Sequence, residues 1–288
     1  MRIISLLPSA TEIICSVGGA EYLVGITHEC DYPAQISHLD VVTDTKIPKG
    51  LASEQIDQLV RNQLQTSQAL YSLREDVVAR LQPDLIVSQS LCDVCAVEAD
   101  EVDQVLQQLN LHTQVINLAP STLNDVFDTM LVVGDAIGNL RQAESLVTQL
   151  RDRVQTVRDA CADQTPTRVA VLEWLHPLFN SGHWTPELVS LAGGVDVLGS
   201  PAQPSTTISI EQLLAADPEV LVIALCGFDV ERSLQDLRLL EQEPEWEGLQ
   251  AVANNRVHVL DGNAYFSRPG PRLVDSLEQL VPLLQAKS

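Results

Sequence analysis

Short apolar runs alternate with amphipathic stretches along most of the chain. The run at residues 2–7 predicts a strand that leads into a helix, and Ser9-Ala10-Thr11-Glu12 has the spacing of a capping box. Further strands are predicted at 23–26, 85–88 and 114–118, with helices at about 53–64, 74–82 and 102–109. This alternation predicts an N-terminal α/β lobe with a mainly parallel sheet over residues 1–121.

Residues 122–163 follow a different pattern. No proline occurs between 122 and 160, and apolar residues recur there mainly at steps of three and four. The pattern predicts one helix of about 36 residues, ~54 Å long, that serves as a rigid linker. A coiled-coil segment is the alternative.

The α/β alternation resumes in a C-terminal lobe over residues 164–288. Strands are predicted at 168–172, 220–225 and 257–260, and helices at 186–192, 208–215 and 271–284. The predicted fold class is therefore α/β, with two Rossmann-like lobes of mainly parallel sheet joined by a single long helix.

Charge and hydropathy exclude several kinds of partner. The chain has 39 acidic and 17 basic residues, a formal charge of -22, which disfavours binding to nucleic acid or anionic lipid. No apolar run approaches the ~18 residues of a membrane-spanning helix. The first residues lack the pattern of a secretory leader, so we expect a cytoplasmic protein that is not inserted in the membrane.

Aromatic residues are concentrated in the loops that follow the predicted strands. Ligands of parallel α/β sheets bind at the carboxyl ends of the strands, and aromatic residues are only 4% of this chain. Aromatic loops with few charges suit a flat, conjugated ligand in a cleft between the lobes; the alternative is that the rings seal the loop bases. The candidate ligand-binding residues are Pro8, Ser9, Tyr32, Trp174, His183, Trp184, Phe228, Asp261, Asn263, Tyr265, Phe266 and Arg268.

Thiols and imidazoles occur in the same loops. Cys92-x-x-Cys95 is half of a zinc or iron-sulfur signature, and thiolate with imidazole favours soft or borderline metals. Ordinary buried thiols and a reversible Cys92–Cys95 redox pair are the alternatives. Cys15 and Cys161 are interpreted as small apolar fillers. The candidate metal ligands are His28, Cys30, Cys92, Cys95 and Cys226.

Several segments carry a resemblance to a known family. IISLLPSATEIICSVG, LVGITHECDYP, PDLIVSQ and VHVLDGNAYFSRPGPRLVDSLEQL resemble substrate-binding proteins of ABC importers for cobalamin and iron-siderophores. The resemblance covers the whole chain and is greater to the cobalamin-binding branch. It implies two lobes joined by one helix, a ligand between the lobes, a monomer and a permease partner. It also implies a periplasmic or cell-surface location if the start of the chain is misassigned.

The sequence therefore predicts a non-catalytic binding protein for a corrinoid such as cobalamin, or for another metal-centred cofactor. The side chains predicted to contact the faces of the corrin ring are Tyr32, Trp174, Trp184, Phe228 and Tyr265. A thiol or imidazole is predicted to approach the metal. The alternative is a cytosolic metal protein or enzyme whose Cys and His residues hold zinc or an iron-sulfur cluster.

Overall fold

The computed structural model of this chain describes residues 1–48, 50–65, 70–89 and 99–285. The chain divides into two compact units. Unit 1 comprises Met1–Leu51, Gln58–Pro120 and Asp125–Thr148, and unit 2 comprises Ala52–Asp57, Ser121–Asn124 and Gln149–Ser288. The α/β class predicted from the sequence is confirmed, because each unit is built on a mainly parallel sheet.

The strands of unit 1 form a five-stranded parallel sheet and a short antiparallel pair. Residues of the central strands are buried, as expected for apolar strands covered on both faces. The sheet has the order β3-β2-β1-β6-β7, and β4 pairs with β5. The strands are β1 (Ile3–Ser5), β2 (Leu23–Ile26), β3 (Asp40–Val41), β4 (Thr43–Thr45), β5 (Tyr71–Leu73), β6 (Leu85–Gln89) and β7 (Gln114–Leu118).

Helices follow these strands in the alternation that the sequence predicts. They are α1 (Pro8–Ser16), α2 (Ser53–Gln65), α3 (Glu75–Leu81), α4 (Ala99–Gln108), α5 (Leu123–Ala136) and α6 (Leu140–Cys161). The capping box predicted at the start of α1 is wrong. Ser9 is not the N-cap, because the helix already begins at Pro8 and Ser9 lies inside the first turn; the N-cap is Leu7, whose aliphatic side chain cannot accept a hydrogen bond.

The single helix predicted over residues 122–160 is also wrong, because the chain turns between α5 and α6. Gly138 has a φ of 78°. Its amide donates to Asp135 O (3.0 Å), and the amide of Asn139 donates to Gly134 O (2.7 Å), which is the hydrogen-bond pattern of a Schellman motif. Gly134 then faces Ala143 so closely that a Cβ would not fit between them. One of the points at which the chain passes from one unit to the other falls inside α6, between Thr148 and Gln149.

A substitution at this turn tests the backbone requirement. Gly138→Ala places a Cβ in open space but on a left-handed backbone, so we expect a loss of about 1 kcal/mol in the free energy of unfolding. Urea denaturation followed by circular dichroism measures it. Gly248→Ala, at a glycine without positive φ and with only one ordinary contact, is the control and should be near neutral. Equal stability of Gly138→Ala and the wild type would contradict the assignment.

Unit 2 repeats the design with a four-stranded parallel sheet in the order β10-β8-β11-β12, to which β9 adds antiparallel to β8. Buried aliphatic residues of β8 and β11 form its core with Trp246. The strands are β8 (Thr167–Leu175), β9 (Leu178–Asn180), β10 (Gly194–Asp196), β11 (Val220–Ile223) and β12 (Val257–Val259). The helices are α7 (Thr185–Leu191), α8 (Ile210–Ala216), α9 (Val230–Leu240), α10 (Gln250–Ala253) and α11 (Leu273–Gln285), and a π-helical turn spans Gly262–Phe266.

Candidate functional site

Loops of unit 2 meet at the carboxyl ends of β8, β11 and β12. The amide of Cys226 donates to the carbonyl oxygen of Glu173 (2.9 Å), and the amide of Asn263 donates to the carbonyl oxygen of Phe228 (3.1 Å). These backbone hydrogen bonds tie each loop to its neighbour. The loops therefore form one continuous surface at the edge where α/β sheets present side chains to ligands.

Trp174 and Phe228 form an aromatic pair on this surface. Their ring centroids lie 5.1 Å apart with the planes tilted by 38°, and both residues are half-buried. The indole N–H of Trp174 donates to the carbonyl oxygen of His176 (3.0 Å). The guanidinium carbon of Arg232 lies 4.3 Å from the Phe228 centroid. The structure thus brings together two of the ring-binding residues that the sequence predicts.

Other predicted aromatic residues of unit 2 have structural contacts. Trp184 is only 5% exposed, and its indole N–H donates to the carbonyl oxygen of Phe266 (2.8 Å). Phe266 is buried as well. Both rings match the alternative in which aromatic side chains seal the loop bases. Tyr265 is half-buried, its carbonyl oxygen accepts from the Ser276 hydroxyl, and the guanidinium carbon of Arg272 lies 5.5 Å from its ring centroid.

Polar candidates of the same loop shape the π-helical turn. The Asp261 carboxylate accepts from the amide of Ala264 (2.7 Å) and caps the turn. Arg268 is buried, and its guanidinium donates to the side-chain oxygen of Asn263 (2.9 Å). Asp261, Asn263 and Arg268 therefore fix the segment that carries Tyr265. Ligand contact by these residues remains a prediction.

Glu173, which is not among the predicted site residues, directly precedes Trp174 in the sequence. Glu173 accepts from the amide of Gly182 (3.0 Å) and from the hydroxyls of Thr185 and Ser205. Burial, the largest effect, raises its pKa to about 7, although these hydrogen bonds lower it, and the charge of Asp196 adds to the rise. The sequence signal that could have identified Glu173 is an acidic residue near the end of a mostly apolar strand.

Asp196, at the end of β10, is the second carboxyl group of this polar cluster. It accepts from the Ser181 hydroxyl (2.5 Å) and from the amides of Leu198 (3.1 Å) and Gly199 (2.8 Å). Burial raises its pKa despite these hydrogen bonds. Glu173 and Asp196 thus anchor opposite ends of the loop that holds Gly182 and His183.

His183 lies in that loop with a φ of 50°. Its amide donates to the carbonyl oxygen of Gln203 (2.6 Å), and its ring centroid lies 5.5 Å from that of Trp184. Burial lowers the pKa of the imidazole and so favours the neutral form, which is the form that ligates metals.

In unit 1 the candidate residues follow β1 and β2. Pro8 is half-buried as the first residue of α1, Ser9 is buried, and Tyr32 is 47% exposed. Tyr32 is therefore accessible to a ligand, whereas Ser9 offers its backbone at the start of α1. Their contribution to binding remains a prediction.

Cys30 lies in a chain of hydroxyl groups. Its Sγ is 3.1 Å from Thr11 Oγ1 and 3.3 Å from Thr27 Oγ1, and the Thr11 hydroxyl donates to Ser5 Oγ (2.8 Å). Burial raises the pKa of the nearby Cys15 thiol to about 11, with the charges of Cys30 and Glu12 adding to the rise. Cys15 is accordingly a protonated thiol, consistent with its interpretation as an apolar filler.

His28 is engaged by its own neighbours. Its Nδ1 lies 2.8 Å from Thr43 Oγ1, its Nε2 lies 3.4 Å from Glu29 Oε1, and its ring centroid is 5.4 Å from that of Tyr71. These contacts fix the imidazole near the antiparallel pair of unit 1.

The predicted metal ligands are not brought together in the described part of the chain. No group of three or more His, Cys, Asp or Glu side chains within residues 1–48, 50–65, 70–89 and 99–285 is arranged to hold a metal ion. Cys92 and Cys95 lie outside the described residues, and Cys226 is exposed in unit 2. Ligation by His28, Cys30, Cys92, Cys95 or Cys226 remains a prediction.

Two α/β units with side chains exposed at the strand ends have the architecture in which ligands commonly bind at those ends. The chain belongs to the periplasmic binding protein family, whose sequence model matches residues 3–264. Members of this family are binding proteins, so this chain is a binding protein and not an enzyme. Among the described residues, no helix combines the length and apolar character needed to cross a bilayer.

The chain is similar over almost its whole length to proteins that bind vitamin B12 or heme. The vitamin B12-binding protein of Vibrio cholerae is 26% identical over 288 residues, 99% of this chain and 89% of that protein. The crystal structure of the periplasmic vitamin B12-binding protein of Vibrio cholerae has a TM-score of 0.70 with 26% identity and covers 99% of this chain and 96% of that one. The periplasmic heme-binding protein RhuT of Roseiflexus shares the fold, with a TM-score of 0.73, 21% identity, and coverage of 98% of this chain and 97% of that one.

Proposed function

We propose that this chain binds a corrinoid such as cobalamin and releases it unchanged, as the substrate-binding component of an ABC importer. The observation that carries the proposal is the aromatic pair of Trp174 and Phe228 at the strand ends of unit 2. Partly exposed rings in loops fit a ligand that is broad, flat and apolar on its faces.

The chemistry of a corrinoid matches this surface. Its ring face is apolar and conjugated, whereas its edge carries uncharged amides, so a binding surface needs ring contacts and few charges. The vitamin B12-binding protein of Vibrio cholerae aligns with almost the whole chain, which supports the same ligand class here. Zinc or an iron-sulfur cluster has no comparable support among the described residues.

Equilibrium dialysis with cobalamin tests the proposal. We expect the purified full chain at micromolar concentration to retain cobalamin, read from the corrin absorbance, close to one ligand per chain. Hemin in a parallel dialysis tests the other flat ligand found with this fold. Retention of hemin but not cobalamin, or of neither, would overturn the proposal.

Removal of one ring should weaken binding in a predictable way. Trp174→Ala eliminates the larger ring of the aromatic pair, and we expect the dissociation constant for cobalamin to rise about tenfold, since an aromatic contact of this kind contributes about 1 to 2 kcal/mol. Titration of each protein with radiolabelled cobalamin measures the change in the dissociation constant.

Leu239→Ala is the matched control, because it truncates an exposed apolar side chain elsewhere in unit 2. We expect its affinity to equal that of the wild type. Equal affinity in Trp174→Ala and Leu239→Ala would mean that the aromatic pair is not the ligand surface.

An importer component acts in the periplasm or at the outer cell surface, and the proposed function places this chain there. The permease is its proposed partner. Fractionation of cells that express the complete natural gene distinguishes this location from the cytoplasmic one predicted from the first residues.

A further inference from the structure

The ring of Phe228 packs against the hydrophobic core cluster of unit 2 and is also contacted by a charged residue. The residue follows Gly227, which has a φ of 74°, and its carbonyl oxygen accepts from the amide of Asn263. These contacts fix the backbone but leave the ring to its side-chain neighbours. Trp174 is one of these neighbours, and Arg232 is another.

Arg232 is fixed at the start of α9. Its amide donates to the carboxylate of Asp229, the N-cap residue (2.8 Å). Its guanidinium carbon lies 4.3 Å from the Phe228 centroid, within the range of a cation–π contact. Its Nη1 donates to Asp236 Oδ1 (2.6 Å) one helical turn later. This ion pair with Asp236 holds the planar guanidinium beside the ring.

Asp236 is poorly placed to serve stability alone. The residue is buried, and among the described residues its Oδ2 has no hydrogen-bond partner, as is also true of Ser233 Oγ on the same buried helix face. A buried carboxylate with one oxygen unsatisfied costs stability, and an apolar residue of similar size would stabilise a helix face at least as well. A role in positioning Arg232 accounts for a carboxylate here.

The opposite side of the aromatic pair is connected to the same helix. The Trp174 indole N–H donates to the carbonyl oxygen of His176, and His176 Nε2 lies 3.4 Å from the carbonyl oxygen of Asp236. Helix α9 thus contacts Phe228 through Arg232 and approaches the Trp174 segment through His176.

We propose that Arg232, held by the buried carboxylate of Asp236, is a positioning residue that keeps the Phe228 ring against Trp174 and thereby sets the affinity of the aromatic pair for its ligand. The part of this inference that concerns affinity rests on the proposed function. The part that concerns ring position does not.

Ring position is tested in the ligand-free protein. The chain has three tryptophans, Trp174, Trp184 and Trp246, so labelling with 5-fluorotryptophan gives three ¹⁹F resonances, and Trp174→Phe assigns one of them. We expect Arg232→Ala and Asp236→Asn to shift the Trp174 resonance and to leave the other two in place. Arg232→Lys keeps the charge but lacks the planar group, and it should shift the resonance in the same direction.

Arg238→Ala is the matched control, since it removes an exposed arginine from the same helix and should move none of the three resonances. Movement of all three resonances in Arg232→Ala would indicate a general structural defect, and the milder Arg232→Lys then decides. An unmoved Trp174 resonance in both Arg232 variants would overturn the proposal.

A double-mutant cycle tests the effect on affinity. We expect Arg232→Ala to raise the dissociation constant for cobalamin about fivefold in the wild-type background and less than about twofold in a Phe228→Ala background, because the residue acts through that ring. The same fivefold loss in both backgrounds would show direct contact with the ligand and overturn the proposal. A wild-type chain that does not retain cobalamin would refute the proposed function, whereas the ¹⁹F result would still decide ring position.

Discussion

Gly262→Ala should lower the free energy of unfolding by about 3 kcal/mol, because a new methyl group at this position meets backbone and not side chains. A Cβ on Gly262 would lie 2.5 Å from the carbonyl carbon of Ala224 and 2.6 Å from that of Leu225, and nearer still to the carbonyl oxygen of Leu225. Those atoms belong to the two residues that follow β11, which are buried and cannot rotate away. The π-helical turn must therefore move.

The movement should reach the ligand surface. The amide of Asn263 donates to the carbonyl oxygen of Phe228, so displacement of the turn breaks a link between two of the loops. We expect cobalamin affinity to fall together with stability, measured by dialysis and by urea denaturation of the same preparation. Gly227→Ala is the matched control, because a Cβ there meets nothing within 4 Å and only the positive φ opposes it. A Gly262→Ala variant as stable as Gly227→Ala would contradict the steric argument.

Glu173→Gln should remove a large part of the pH dependence of stability. The folded-state pKa of Glu173, about 7, lies above the ordinary value of 4.5, so the folded chain holds this proton more tightly than the unfolded chain. The associated stability is fully present below pH 4.5 and is lost as the pH rises through 7. Relative to its difference at pH 4.5, the variant should therefore gain at most about 3 kcal/mol over the wild type at pH 8.

Urea denaturation at intervals between pH 4.5 and pH 8 measures this effect. Glutamine keeps an oxygen that can accept from the amide of Gly182, so the loop geometry is preserved. Some slope should remain because burial also raises the pKa of Asp196. Glu241→Gln, which removes an exposed carboxylate, controls for net charge and should follow the wild-type curve. Parallel curves for Glu173→Gln and the wild type would show that Glu173 titrates normally.

The central strands were predictable from the sequence, whereas the short strands β3, β4, β5, β9 and β10 were not. The short run at residues 114–118, with apolar residues at Val115, Ile116 and Leu118, coincides with β7. The turn between α5 and α6 was missed because the apolar stripe continues in step across Gly138 and Asn139. Helix α9 is absent from the elements predicted from the sequence, in which its apolar residues are interspersed with charged and polar ones.

The candidate site was partly predictable for a similar reason. Strand ends are visible in the sequence, so Trp174 and Phe228 were both selected, and the rule that ligands gather there placed them at one edge of a sheet. The sequence does not reveal which rings are buried. Trp184 and Phe266 were selected as ligand-binding residues, but both are buried. The role of Glu173 depends on the amide of Gly182 and the hydroxyls of Thr185 and Ser205, which only the folded chain brings to this carboxyl group.

The turn at Gly138 also makes the rotation of α6 about its axis independent of the length of α5. In a continuous helix, one inserted residue rotates every later side chain by about 100° and advances it by about 1.5 Å. Here α5 ends at Ala136, before Gly138, and α6 begins after Asn139, whose side-chain amide donates to the carbonyl oxygen of Val17 (3.0 Å). A length change within α5 is therefore absorbed at the turn, and the face that α6 presents to α11 through Arg153, Asp275 and Glu278 keeps its register.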